Sequence, residues 1–380
     1  MKLTRLFNDF FNSERAGGLI LIVCTVLSLV LTNVYPAYSH LWHIEFGGEH
    51  LVHWINDGFM AIFFLLIGLE LEREVYIGEL SNFRNALQPL LAALGGMIFP
   101  AAIYFALNVS GGNTMGLGIP MATDIAFALG VLSLLGSRIP ASLKIFLTAL
   151  AVIDDLGAII IIAVFYTDTI SWLNLGIAMG IFIFLLGLNR LKVHKLMPYL
   201  VLGIFMWYFM LNSGVHATIT GVLLAFAIPF GNGDENSPSY KLQHFLHKPV
   251  AFLILPLFAL ANTSIPVTSD FYVSLGTKIS LGIMAGLLIG KPVGIVLLTW
   301  LSAKLKWSML PEDLKWSHVI GAGFLGGIGF TMSIFISLLA FDDTDLVDES
   351  KIAIMIVSTI AGAIGYFWLK SIPAKESSEL

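Results

Sequence analysis

Apolar residues in this chain run in long blocks separated by short polar segments, with little strand-like alternation. A bilayer crossing takes about 20 predominantly apolar residues. Twelve blocks of suitable length can be marked, at 16–33, 54–72, 86–107, 115–135, 142–166, 172–189, 197–211, 214–230, 249–264, 279–302, 318–340 and 351–370. The pattern predicts an all-α polytopic membrane protein of about twelve transmembrane helices, forming one membrane domain. Basic residues support this division, because segments on the cytoplasmic side collect Lys and Arg. With the N-terminus inside, 17 of the 20 basic residues fall on inward segments, whereas Lys278 and Lys351 lie at outward edges and Lys291 lies within a span. Both termini are therefore expected in the cytoplasm, with the first apolar block kept as a helix and not removed as a signal peptide.

The first outward segment interrupts the helical pattern. Ile44 to Leu51 alternate about Gly47-Gly48, which is a hairpin signal, with an irregular loop as the alternative. Two spans carry helix breakers. In the fourth, Gly116, Gly118 and Pro120 precede Thr123 and Asp124; in the eleventh, Gly321, Gly323, Gly326, Gly327 and Gly329 precede Thr331 and Ser333. Unpaired backbone at that depth survives only where protein or a watery cavity satisfies it, so both spans are expected to be interrupted. Close packing on small residues is the other explanation for the glycines. Spans three to five and ten to twelve would then form two inverted units, each with a broken helix at its centre, as in secondary transporters. This predicts a core bundle at about 86–166 and 279–370, with the helices at about 16–72 and 172–264 forming an interface and dimerisation part.

Composition narrows the class further. Hydrophobic residues make up 57% and charged residues 12%, and the mean hydropathy is +0.87, so lipid is the main solvent. The net charge of −5 and the scattered basic residues give no footprint for nucleic acid. One cysteine, Cys24, excludes an internal disulfide or a thiolate metal site. Neither an enzymatic activity nor a cofactor is expected.

Against that background, four buried ionisable residues stand out: Asp124, Asp154, Asp155 and Lys291. A charge at a helix centre opposes insertion by about 2.5–3.5 kcal/mol. Such residues mark an ion or proton pathway, the alternative being salt bridges that only lock helices. Adjacent helical side chains point about 100° apart, so one carboxylate can face a cavity while the other turns to a neighbouring helix, and Asp154 is the expected partner of Lys291. Closely placed carboxylates resist ionising together, and either a proton or a cation relieves them. Exclusive occupancy of that kind suffices for exchange. The donors offered by Asp155, Asp154, Thr123 and nearby carbonyls are hard oxygens suited to an alkali cation. At a broken crossing, half-helix termini leave partial charges, which Asp124 and Lys291 are placed to neutralise, although simple packing of Asp124 against Ser or Thr would also account for it. His216 reads as either a structural or a pH-sensing histidine. The cluster Glu70, Glu72, Arg73, Glu74 and Glu79 reads as a solvated helix end or as a funnel that attracts cations.

Several stretches carry a resemblance: Ala122-Thr123-Asp124-Ile125-Ala126-Phe127-Ala128-Leu129-Gly130, the Asp154-Asp155 segment, Ser213 to Thr218, Gly290 to Gly294, and Gly326 to Phe335. The chain resembles the NhaA family of bacterial sodium/proton antiporters from about Phe7 to Trp368. That resemblance implies crossed, interrupted fourth and eleventh helices in a bacterial inner-membrane protein. It implies electrogenic uptake of H+ against export of Na+ or Li+, stronger at alkaline pH and serving sodium and pH homeostasis. It assigns Asp155 as the central carboxylate for cation and proton, Asp154 as its neighbour paired with Lys291, and Thr123 with Asp124 at the crossing. It also places Glu70, Arg73, Glu74 and His216 among pH-response residues, and the segment near Gly47 in a homodimer contact. At the cytoplasmic edge of the ninth span, Gln243 stands where the family pattern has an acidic residue, so a shifted or differently built pH response is expected. A sodium-coupled solute symporter is the main competing expectation. An aspartyl protease pairing Asp124 with Asp155, and a passive channel, are the others.

Overall fold

A computed structural model describes residues 2–166, 169–267 and 271–373, with the side chains of 2–15, 79, 83–85 and 137 excepted. Lys375 lies outside these residues, as do the side chains of Lys2, Arg5, Arg15, Glu79 and Arg84. The described chain is almost wholly helical. In order it contains α1 (Lys2–Val34), strands β1 (Glu45–Phe46) and β2 (Glu49–His50), α2 (Leu51–Tyr76), α3 (Phe83–Asn108), a 3-10 segment (Thr114–Met121), α4 (Ile125–Ser133) and α5 (Ala141–Phe165). Then follow α6 (Trp172–Arg190), α7 (Leu196–Leu211), α8 (Ile219–Ala227), α9 (Pro238–Asn262), α10 (Lys278–Lys304), α11 (Trp316–Gly326), α12 (Phe330–Ala340) and α13 (Thr344–Ser371).

Nine helical segments among the described residues are long and apolar enough to cross a bilayer, and the bent pair α11–α12 makes a tenth. The remaining two apolar blocks correspond to the shorter α7 and α8. Helix α8 is shorter than its block at 214–230, because Gly214 turns the chain at φ +83° before the helix starts. Helices α9 and α13 instead begin well before their apolar blocks: Pro238 opens the first turn of α9, and the Asp343 side chain caps α13 by accepting from Asp345 N. The hairpin is present, with Glu45 opposite His50 and Phe46 opposite Glu49. Gly47 and Gly48 have φ of +65° and +92°, the positive pair that a tight primed turn requires.

The chain divides into two compact units. Unit one comprises the described parts of Met1–Leu19, Asn82–Ala158 and Val267–Leu380. Within it, α3 and α10 approach so closely that a Cβ on Gly95 would lie 2.1 Å from the Gly294 carbonyl oxygen, and one on Gly294 equally near that of Gly95. A π-helical turn, Gly286–Gly290, precedes Lys291 in α10 and packs against Pro100 of α3. Two triples of elements result, each with a broken crossing between two continuous helices.

Unit two comprises Ile20–Ser81 and the described parts of Ile159–Pro266. Helix α1 turns Thr25, Ser28 and Thr32 inward at helical spacing and leaves Val23, Val26, Leu27 and Val30 exposed. Ser28 Oγ donates to Leu260 O at 2.7 Å, and the Thr32 and Ser264 hydroxyls meet at 2.9 Å. On α6, Trp172, Leu173, Ile183 and Phe184 are exposed, as expected of a helix that faces lipid.

Candidate ion-exchange site

The fourth apolar block starts as a 3-10 segment, opens into extended backbone at Ala122–Asp124, and resumes as α4. The eleventh bends by 44° between α11 and α12. The two breaks meet: Asp124 N donates to Ile328 O at 2.7 Å, and Ser333 Oγ donates to Ile119 O at 2.7 Å. Four helix ends are thereby exposed inside unit one, and each broken end leaves unsatisfied backbone groups and a partial charge.

Asp124 answers both N-terminal ends. Its Oδ1 accepts from Phe127 N of α4 at 2.9 Å, and its Oδ2 accepts from Thr331 N and Thr331 Oγ1 of α12 at 3.0 and 2.5 Å. Ser358 of α13 completes the α12 terminus by accepting from Gly329 N and Phe330 N at 3.2 and 3.1 Å. At the opposite ends, Lys291 Nζ donates to Met121 O, the last carbonyl of the 3-10 segment, and Thr123 Oγ1 lies 2.9 Å from Gly326 O, the last carbonyl of α11. A carboxylate thus sits at the positive ends and an ammonium at a negative one.

The rest of the cluster hangs from α5 and α10. Lys291 Nζ is 2.9 Å from Asp154 Oδ2, and Thr123 Oγ1 lies 2.7 Å from the same oxygen. Asp154 Oδ1 has no hydrogen-bond partner among the described residues. Asp155, the next residue on α5, is fully buried and within electrostatic reach of Lys291. Thr123, Asp154 and Lys291 are likewise inaccessible, and Asp124 is 2% exposed. One ammonium therefore faces two adjacent buried carboxyl groups, Asp154 and Asp155. Among the described residues no group of three or more His, Cys, Asp or Glu side chains is arranged to hold a metal ion as a resident ligand set. A transported monovalent ion needs only oxygens, of which the cluster offers carboxylate, hydroxyl and carbonyl atoms.

The other four residues singled out in the sequence belong to unit two. Glu70 Oε1 lies 3.8 Å from His247 Nδ1, the Arg73 guanidinium sits 5.2 Å from the centre of the Tyr240 ring, and Glu74 folds back over Gly78. His216 Nε2 meets the Tyr166 carbonyl at 2.6 Å. Sequence reasoning missed His247, Tyr240 and Ser358. His244 and His247 stand just ahead of an apolar block, a visible cue, but Ser358 is an ordinary small residue in such a block and offers none.

Comparison with known proteins gives the family. The family model described as Na+/H+ antiporter 1 matches residues 8–369. The chain is 63% identical over 372 residues to the Na+/H+ antiporter NhaA of Flavobacterium psychrophilum, covering 97% of both chains. It is 58% identical over 374 residues to that of Dechloromonas aromatica, covering 97% of this chain and 96% of the other. Among solved structures, the sodium proton antiporter MjNhaP1 of Methanocaldococcus jannaschii at pH 8 is similar in fold, with a TM-score of 0.56 at 13% identity over 98% of this chain and 99% of that one. By sequence along nearly its whole length, the chain belongs to the NhaA family of Na+/H+ antiporters.

Proposed function

We propose that this protein exchanges Na+ for H+ at Asp155, with Asp154, Thr123 and Lys291 completing the site. The observation that carries the assignment is the buried Lys291–Asp154 pair at 2.9 Å directly beside the equally buried Asp155. In a medium of low dielectric, two adjacent buried carboxyl groups resist ionising together beside a single ammonium, and either H+ or Na+ bound at Asp155 relieves them. Occupancy by one excludes the other. Sodium held between Asp155 and Asp154 also competes with Lys291 for Asp154. If Lys291 then gives up its proton, two protons leave for each Na+ bound, and the cycle moves net charge. This is the basis for expecting electrogenic exchange.

The same proposal extends to Li+, which the oxygen donors also suit, and to export of Na+ against inward H+ across a bacterial inner membrane with both termini cytoplasmic. The core and interface division at about 86–166 with 279–370, and 16–72 with 172–264, goes with it. So does a homodimer contacting through the hairpin at Gly47. Glu70, Arg73, Glu74 and His216 are proposed to shape the pH response.

Sodium-driven H+ flux in sealed vesicles, measured at several pH values for the native chain and for Asp155→Asn, tests the central claim. Native flux that depends on Na+ and is abolished in the variant is the expected result. Undiminished flux in the variant would remove Asp155 from its assigned role.

A further inference from the structure

At the Tyr76 end of α2, unit two holds a cavity of about 520 Å3 that ion exchange at the crossing does not use. It is lined by Glu72, Tyr76, Asn189, Phe226, Phe230 and Asn232, among others. Glu72 is the one carboxylate among the described lining residues. It is 4% exposed, and its Oε2 has no hydrogen-bond partner among the described residues. A buried carboxylate without a counter-group is costly, and a cationic ligand would relieve that cost.

The walls narrow the class of cation. The Tyr76 and Phe230 rings lie 4.9 Å apart between centroids and 32° from parallel. The turn that follows is built to seat Phe230: Gly233 has φ +67°, and a Cβ there would lie 2.6 Å from Phe230 Cζ and 3.0 Å from Ile77 Cδ1. Asn189 Nδ2 donates to Ala227 O at 3.0 Å, which leaves its amide oxygen as an acceptor. A bare alkali or divalent ion requires a tight shell of oxygens, and this space is far larger than such an ion, with the rings of Tyr76, Phe226 and Phe230 set among the polar groups of its wall. An anion would find no cationic group among the described lining residues. A carboxylate and amide oxygens beside aromatic faces match a cation that carries carbon, through charge-assisted hydrogen bonds and cation–π contact.

We propose that this cavity binds a primary alkylammonium group, held by Glu72 and packed against Tyr76 and Phe230. A free amine or the ethanolamine headgroup of a phospholipid carries that group. The site lies wholly within unit two and does not depend on the role of Asp155.

The test is calorimetric titration of propylammonium chloride at neutral pH into the full-length protein in an uncharged detergent, with potassium chloride at matched ionic strength as control. The native protein should bind propylammonium and ignore potassium. Glu72→Gln, which keeps the shape and removes the charge, should weaken binding at least about tenfold, as loss of a desolvated charge pair implies. Phe230→Leu should weaken it less. The melting temperature of each variant without amine shows whether it is folded. Repeating the titration in phosphatidylcholine and in phosphatidylethanolamine nanodiscs separates the two sources. Binding lost only with phosphatidylethanolamine identifies the headgroup, and equal binding in both identifies a free amine. No heat with native protein, or unchanged affinity in a folded Glu72→Gln variant, overturns the proposal.

Discussion

Asp124 and Thr331 join two half-helices through one carboxylate: the oxygen that accepts Thr331 N and Oγ1 belongs to the side chain whose other oxygen caps α4 at Phe127 N. Asp124→Asn would retain one acceptor and turn an NH2 group toward the Thr331 N–H, placing donor against donor. Hydrogen bonds to a charged acceptor contribute about 1.5–3 kcal/mol each, so this variant should melt at lower temperature and exchange more slowly than native. Thr331→Val removes only the hydroxyl, leaving the backbone contact, and should lose less. Equal or greater loss in Thr331→Val, by thermal melting in detergent, would show that the shared cap is not what holds the crossing.

The Lys291–Asp154 pair predicts strong non-additivity. Removing one partner of a buried ion pair costs about 3–5 kcal/mol, whereas removing both charges is far less harmful. Lys291→Gln also strips Met121 O of its cationic donor. Each of Lys291→Gln and Asp154→Asn should therefore destabilise sharply, and the double variant should recover much of the loss. Any Na+/H+ flux left in the double variant should be insensitive to membrane potential, since the second exchangeable proton is gone. Flux that still responds to an imposed potential would mean that another group carries that proton.

Thr123 has one hydroxyl proton and two acceptors, Asp154 Oδ2 at 2.7 Å and Gly326 O at 2.9 Å. It can direct its proton to only one of them at a time, which suits a group that must adjust when Asp154 changes partner. Thr123→Ser keeps the hydroxyl and should preserve most exchange. Thr123→Val keeps the shape and should raise the Na+ concentration giving half-maximal flux about tenfold, in line with the loss of a charged hydrogen bond. Equal behaviour of the two variants would assign Thr123 a packing role alone.

Much of unit one could be read in the sequence for physical reasons. Glycines and a proline beside Asp124 in one span, and five glycines before Thr331 in another, conflict with uninterrupted lipid-facing helices, so both breaks were legible. Buried charge must be paired, which drew Lys291 to an aspartate. Backbone partners were not legible: Met121 O, Gly326 O and Ile328 O become acceptors only because the crossing exposes them, and a carbonyl has no sequence signature. The extents of α8, α9 and α13 diverged from their apolar blocks because capping and turn chemistry, not hydropathy, set helix ends. In unit two, the acidic cluster at the end of α2 was visible, but its partners His247 and Tyr240 lie far along the chain.

That His247 contact leads to a prediction about pH. Glu70 and His247 stand 3.8 Å apart, and their attraction is an ion pair only while the imidazole is protonated. Protonation of the imidazole therefore strengthens the contact, and loss of that proton weakens it. If the pair restrains α2 against α9, exchange should be held back at low pH and released toward alkaline pH. His247→Gln removes the switchable charge and should raise flux on the acid side while leaving the alkaline plateau near native, so the ratio between the two falls. Glu70→Gln should act in the same direction through the other partner, and the double variant should add little. Flux measured across pH in vesicles decides it: a native-shaped profile in His247→Gln would exclude this pair from the response and leave Arg73, Glu74 and His216 to account for it.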